Sequence, residues 1–237
     1  MLVIGLTGGI AMGKSTVSRI LEEEIPVVDA DQVAREIVEP GQVAYKEIVE
    51  YFGPEVLDTD GVSLDRAALG RRIFSDPEAR RVLNGLTHPR IRRRMLRQVL
   101  QHYIQGARAC VLDVPLLIES GLDALCGLVI VVHCTTEKQM ERLRARDGVD
   151  VEVAKAKIGA QMSPEERLRG ADMILDTTHL SLEETKDRAR SWILPASPQY
   201  ILPGRWWAGV CRWVPPIALF AVMRALLSRQ WRRRWGR

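Results

Sequence analysis

The sequence predicts an α/β fold, a five-stranded parallel sheet wound by helices on both faces. Three observations predict it. Five short apolar runs recur along the chain, each of strand length and too short for a helix. Segments with apolar residues at helical spacing separate them, and strands that alternate with helices pair in parallel. The first run breaks at once into a glycine-rich turn and a helix start, the kind of junction at which such sheets bind ligands.

That first run is Leu2, Val3, Ile4 and Leu6. The turn after it fits G-x-x-x-x-G-K-[ST] from Gly8 through Gly13 to Lys14 and Ser15, and Val17, Ile20 and Leu21 follow at helical spacing. Strand, glycine loop and helix start make this a phosphate-binding loop, and the fold that of a P-loop NTPase. Glycines let the backbone curl and turn successive N–H groups toward phosphate oxygens, and the helix N-terminus adds its positive dipole end. Lys14 is expected to reach the outer phosphates, and the Ser15 hydroxyl to hold the Mg2+ carried with them.

Ile25 to Val28 reads as the second strand, ending in Asp29-Ala30-Asp31, and Val33, Ala34, Ile37 and Val38 give the helix after it. Two carboxylates at the end of a strand lie where α/β proteins bind ligands, although an aspartate there also suits a helix cap. Tyr45, Ile48, Val49 and Phe52 form a helix stopped by Gly53-Pro54, and Leu64 to Phe74 make an amphipathic stretch. Asp76-Pro77 opens a longer helix, expected to break or bend at His88-Pro89 and rich in arginine from Arg90 to Arg97. Those arginines fit a solvated face and an anion-receiving face equally well.

Ala109 to Leu112 is the third strand, ending in Asp113 at a Walker-B position, where a carboxylate holds magnesium directly or through water. Leu128 to His133 is the fourth strand, with His133 read as packed. Helices follow over 137–147 and about 151–162, and Ser163-Pro164 begins another. Met173 to Leu175 is the fifth strand, and Ser181-Leu182-Glu183-Glu184 is a capping box for a last helix ending near Leu194.

With 46% hydrophobic and 27% charged residues, the composition excludes a disordered chain. Cys110, Cys126, Cys134 and Cys211 have no zinc spacing and read as free thiols of a reducing compartment. The phosphate loop begins so early that, with residue 1 as the true start, no room is left for a targeting peptide and the expected location is the cytosolic side. From Arg205 onward there are eight arginines and no acid, so the total of +4 less the tail's +8 leaves −4 on the preceding 204 residues. That balance argues against a nucleic-acid partner for the main domain.

Taken together, GLTGGIAMGKST at 5–16, DADQVAR at 29–35, LTHPRIR at 86–92, DVPLLIE at 113–119, QMERLRARD at 139–147 and Ala171-Asp172 resemble the dephospho-CoA kinase family. The resemblance runs from Leu2 to about Thr178. It implies transfer of the γ-phosphoryl of ATP to the ribose 3′-hydroxyl of dephospho-CoA, giving CoA and ADP, with ATP and Mg2+ as cofactors. Gly8, Gly9 and Ala11, Met12, Gly13, Lys14, Ser15 and Thr16 would bind ATP, Ser15 and Asp113 would serve magnesium, and Asp31 would be the base. Arg142 and Arg146 would close over the phosphates beside Lys14, and Arg35, His88, Arg92, Asp113 and Leu116 would meet the acceptor. The expected organisation is a kinase domain over 1–194, with a helical substrate-binding region over about 31–105 and a helical lid over about 137–170. Three departures stand out. Met12 replaces a small residue, so its thioether is expected to face away from the phosphates. Asp176-Thr177-Thr178 replaces an Asn-x-Gly-like turn, and Arg167 stands where lysine is common.

Residues 195–237 form a basic, apolar tail. Its uninterrupted apolar run, Trp213 to Met223, is short of the roughly twenty residues a helical span needs. Tryptophans flank the run and Arg232-Arg233-Arg234 follows it, which suits an interfacial or C-terminal anchor, and the resemblance to eukaryotic-type members with an apolar C-terminal extension implies a mitochondrial outer or other organelle membrane. A helix packed on the kinase domain is the other reading. Two further functions fit the same residues: another small-metabolite or nucleotide kinase, and a membrane-tethered nucleotide-binding scaffold without turnover.

Overall fold

The structure, a computed structural model, describes residues 1–193, so the tail over 195–237 and Cys211 lie outside the described residues. The described chain divides into two compact units, one formed by Met1–Val28 with residues 102–193, the other by Asp29–Gln101.

The first unit holds the sheet. Its strands are β1 (Leu2–Gly8), β2 (Val27–Asp29), β3 (Ala109–Asp113), β4 (Leu128–His133) and β5 (Met173–Asp176), in the order β2-β3-β1-β4-β5. β1 pairs in parallel with both β3 and β4, with Leu6 opposite Asp113 on one side and Ile130 on the other. Parallel strands are covered on both faces, which is why β1 and β3 are buried nearly throughout. On one face Ile4, Leu6, Val111, Ile130 and Val132 meet Val17, Ile20 and Leu21 of α1 (Lys14–Glu22) and Ala189 of the last helix. Each such aliphatic side chain contributes about 1.5–3 kcal/mol by burial. On the other face Gly5 leaves room for the loop after β3, since a Cβ there would lie 2.6 Å from Leu117 Cδ2.

In the second unit α2 (Ala30–Glu36) is capped by Asp29, whose carboxylate accepts from the N–H groups of Asp31 and Gln32. The capping role therefore falls to Asp29, and Asp31 stands in the first turn. α3 (Val43–Phe52), α4 (Arg66–Ser75) and α5 (Pro77–Ile104) complete the unit around Val33, Ile37, Ala44, Ile48, Ala79 and Met95.

One expectation is corrected here, and of the two outcomes expected at Pro89, a break or a bend, the break does not occur. α4 contributes no fully buried residue, and Phe74, read as part of its apolar face, is 85% exposed. α5 also runs through Pro89 without a break. Proline deprives only the Gly85 carbonyl of its donor, and Gly85 is exposed, so water can serve that carbonyl. On either side of the proline, Thr87 Oγ1 donates to Leu83 O at 2.8 Å and Arg90 Nη1 to Leu86 O at 2.6 Å.

After β4 come α6 (Thr136–Asp147), α7 (Val151–Gly159) and α8 (Pro164–Arg169), then α9 (Leu182–Ile193) after β5. Ser163 caps α8, and Ser181 with Glu184 forms the expected capping box of α9.

Candidate active site

The phosphate loop leaves β1 at Gly8 and returns as α1. Gly13 has φ +97°, a conformation that disfavours any Cβ, and its carbonyl accepts from the N–H groups of both Thr16 and Val17. Ala11 has φ +58°, and the Met12 N–H donates to Gly9 O at 3.2 Å. Lys14 and Ser15 form the first helical turn, where N–H groups have no intrahelical acceptor. The result is a cradle of donors at a helix N-terminus, a ready anion site. Met12 is buried, and its Sδ lies 3.0 Å from where a Gly9 Cβ would be, so its thioether is packed inward.

Lys14 Nζ donates to Asp113 Oδ1 at 2.6 Å, and both side chains are largely withdrawn from solvent. The pairing follows from topology, because Asp113 ends the strand beside β1, opposite Leu6. Thr7 Oγ1 donates to Pro115 O at 2.9 Å and fixes the chain just beyond Asp113. For a magnesium ion the donor set is an exposed Ser15 hydroxyl and a carboxylate whose Oδ1 is engaged by Lys14. These oxygen donors fit the ion, with Ser15 and Asp113 as the residues that would hold it, Asp113 directly or through water.

Arg142, on α6, spends its guanidinium on Thr177: Nη1 donates to the hydroxyl at 2.9 Å and Nη2 to the carbonyl at 2.8 Å. The Thr177 hydroxyl in turn lies 3.0 Å from Met12 O and 3.2 Å from His133 O. A buried threonine just after β5 thus ties α6 to the phosphate loop. Arg142 Nη1 lies 3.8 Å from where a Gly13 Cβ would be, which keeps its charge at the loop. Arg146 is instead exposed and bound to Asp147 at 2.8 Å. That contact and Lys157 hold the Asp147 carboxyl down at about 2.

Arg167 is nearly fully buried, donates to Met162 O at 3.0 Å and stands 3.7 Å from Glu119. Its Nη1 is 3.0 Å from where a Gly9 Cβ would lie, and its Nε has no hydrogen-bond partner among the described residues. Gln139 and Gln161 reach the loop as well, each bonding the backbone of Ile10 at 2.9 Å. Leu116 is exposed beyond Asp113.

The second unit carries the remaining expected residues. Asp31 is exposed. His88 and Arg92, on α5, line an open hollow of about 510 Å3 with Asn84, Gly85 and Pro89. A separate groove of about 680 Å3 is lined by Arg90, Arg93, Arg94 and Arg97 of α5 against Glu36, Glu39 and Gln42. Within it Arg94 lies 3.6 Å from Glu36, and Arg90 bonds Glu47 at 2.6 Å. Arg35 is exposed on α2.

Sequence reading missed Thr177, Gln139 and Gln161 as site residues and noted Arg167 only as a retained charge. Gln139 opens the QMERLRARD segment and Thr177 lies in the altered turn, but their contacts with the loop span 129 to 165 positions of chain, so no local pattern shows what they bind.

The donor cradle, its lysine and the carboxylate at the end of the adjacent strand define a P-loop nucleotide-binding unit of the kinase type. The chain belongs to the dephospho-CoA kinase family, whose model matches residues 2–182. It is 44% identical to the dephospho-CoA kinase of Saccharomyces cerevisiae over 97% of this chain and 94% of that protein. It is 49% identical to a dephospho-CoA kinase of Bacillus cereus over 74% of this chain and 88% of the relative. The solved dephospho-CoA kinase from Campylobacter jejuni superposes with a TM-score of 0.64 at 30% identity, covering 82% of this chain and 96% of that one.

Proposed function

We infer that this chain phosphorylates dephospho-CoA with ATP in CoA biosynthesis, the reaction for which its family is named, and that the acceptor atom is the ribose 3′-hydroxyl. The observation that carries the reading is the phosphate loop with Lys14 on Asp113, in a chain that the family model matches over residues 2–182. Phosphoryl transfer passes through a loose transition state that asks for alignment and charge neutralisation more than for covalent help.

The loop N–H groups from Ala11 to Thr16 hold the β- and γ-phosphates in line, with Gly8 and Gly9 shaping the turn. Lys14 exchanges Asp113 for phosphate oxygens when the nucleotide binds. Arg142 adds its charge from beside Gly13, and Arg146 closes from α6. Ser15 and Asp113, the latter directly or through water, would hold a magnesium ion, which would neutralise phosphate charge when bound. Asp31 takes the proton of the 3′-hydroxyl as it attacks, and its carboxylate has no protein partner among the described residues. Arg35, His88 and Arg92 are the residues of the second unit assigned to the acceptor, and Asp113 and Leu116 those of the first.

The tail over 195–237 associates with a membrane. Support comes from its tryptophans, its terminal arginines and its lack of acids. Among the described residues no helix is long and apolar enough to cross a membrane.

A coupled assay of ADP release tests the activity. Turnover with dephospho-CoA and none with nucleoside monophosphates or sugars is the expected result. Turnover only with another acceptor would replace the substrate assignment, and none with any acceptor would favour a scaffold.

A further inference from the structure

Ile10 sits at the tip of the phosphate loop, and two side-chain amides hold its backbone. Gln161, between α7 and α8, accepts from the Ile10 N–H at 2.9 Å. Gln139, on α6, donates from Nε2 to the Ile10 carbonyl at 2.9 Å. Gln139 is 1% exposed, and its Oε1 is buried without a hydrogen-bond partner among the described residues. A buried orphan oxygen is costly, and an aliphatic side chain would fill the same space without one. The bond to Ile10 is therefore what an amide adds at this position.

The consequence follows from peptide planarity. In a trans peptide the C=O of one residue and the N–H of the next point in opposite directions, and no peptide bond among the described residues is cis. With the Ile10 carbonyl held by Gln139, the Ala11 N–H must face away from that amide. With the Ile10 N–H held by Gln161, the Gly9 carbonyl faces the other way, where it accepts from Met12 at 3.2 Å. Two successive peptide planes are thus set from outside the loop. The loop also includes Ala11 at φ +58°, a conformation that alanine does not favour by itself.

We propose that Gln139 and Gln161 are positioning residues that grip Ile10 from both sides and thereby aim the Ala11 N–H at the phosphate chain of the nucleotide. This rests on the reading of Ala11 to Thr16 as the nucleotide-phosphate site. Neither glutamine touches the nucleotide; they act through the backbone between them.

The test uses the full chain and ADP as the probe, titrated calorimetrically, with Gln139→Met, Gln161→Met, the double variant and Lys14→Met. Methionine keeps the length and removes the hydrogen bond. Each single variant is expected to weaken ADP about fivefold and the double variant about twentyfold, on the scale of one lost hydrogen bond each. The KM for ATP should rise in parallel while the KM for dephospho-CoA stays within about twofold. Should the double variant fail to fold, the single variants carry the test. ADP affinity near wild type in the glutamine variants, with Lys14→Met impaired, overturns the proposal, whether or not their melting temperatures fall. If Lys14→Met binds ADP like the wild type, the phosphate-site reading fails first and takes the proposal with it.

Discussion

Lys14 and Asp113 meet at 2.6 Å at the carboxyl edge of the sheet, with Asp113 3% and Lys14 14% exposed at the side chain. Removing one partner of so enclosed a pair strands the other's charge, which costs about 3–5 kcal/mol in buried pairs. Asp113→Asn is therefore expected to lower the melting temperature of the nucleotide-free protein by roughly 10 °C. Nucleotide phosphates give Lys14 a second counter-charge, so saturating ADP should close about half of that gap. Thermal melts of both proteins with and without ADP decide it. An equal deficit in the two conditions would mean that Lys14 does not transfer to phosphate.

Asp31 tests the chemistry separately from binding. Asp31→Asn keeps the size of the side chain and the Asp29 cap of α2, and removes the basic oxygen. General-base loss should cut kcat by roughly 10²- to 10⁴-fold with the KM for ATP little changed. Coupled ADP release with dephospho-CoA measures both constants. Turnover like the wild type would take Asp31 out of the catalytic role.

Thr177 is 4% exposed and joins Arg142, Met12 O and His133 O through one hydroxyl. Thr177→Val keeps the shape and deletes those bonds, leaving Met12 O and one Arg142 nitrogen short of partners. A cost of about 1–3 kcal/mol is expected from urea unfolding. Because Met12 belongs to the phosphate loop, the KM for ATP should also rise several-fold. A stability loss with an unchanged KM for ATP would confine Thr177 to the scaffold.

The contrast between Lys14 and Thr177 shows where the sequence is legible. The loop, the five strands and the Ser181 cap are written in neighbouring residues, because glycine spacing, apolar runs and capping boxes are local physics. Thr177, Gln139 and Gln161 carry no such mark; they matter only because parallel strands bring β1, β4 and β5 side by side. At Pro89 the sequence left a break and a bend open for a similar reason. The local rule allows either, and the helix stays unbroken because the one carbonyl the proline deprives, that of Gly85, is open to water.

Burial pushes the Cys110 thiol up to about 11 from an ordinary 9.0, because the thiolate is disfavoured inside β3. The folded pKa is raised, so this contribution is fully present below pH 9 and is lost as pH rises toward 11. Unfolding free energy should therefore decline across that window, and Cys110→Ala should flatten the decline whatever it does to stability at neutral pH. Native-state alkylation at pH 8 should also leave Cys110 unmodified. Rapid alkylation there would show that the thiol is accessible.

Deletion of residues 204–237 separates the two readings of the tail. The family model ends at residue 182, and the match to the Bacillus relative covers 74% of the chain, whereas the match to the yeast relative covers 97%. The family model that defines the kinase therefore needs none of the residues deleted. The tail's eight arginines with no acid would hold it to an anionic surface at about 1 kcal/mol for each charge near the headgroups, a contribution that salt weakens. Full-length protein should sediment with vesicles containing anionic lipid at low salt, and the truncated protein should stay in the supernatant with kcat unchanged. Loss of activity on truncation, with no vesicle binding by the full chain, would instead make the tail a helix packed on the kinase domain.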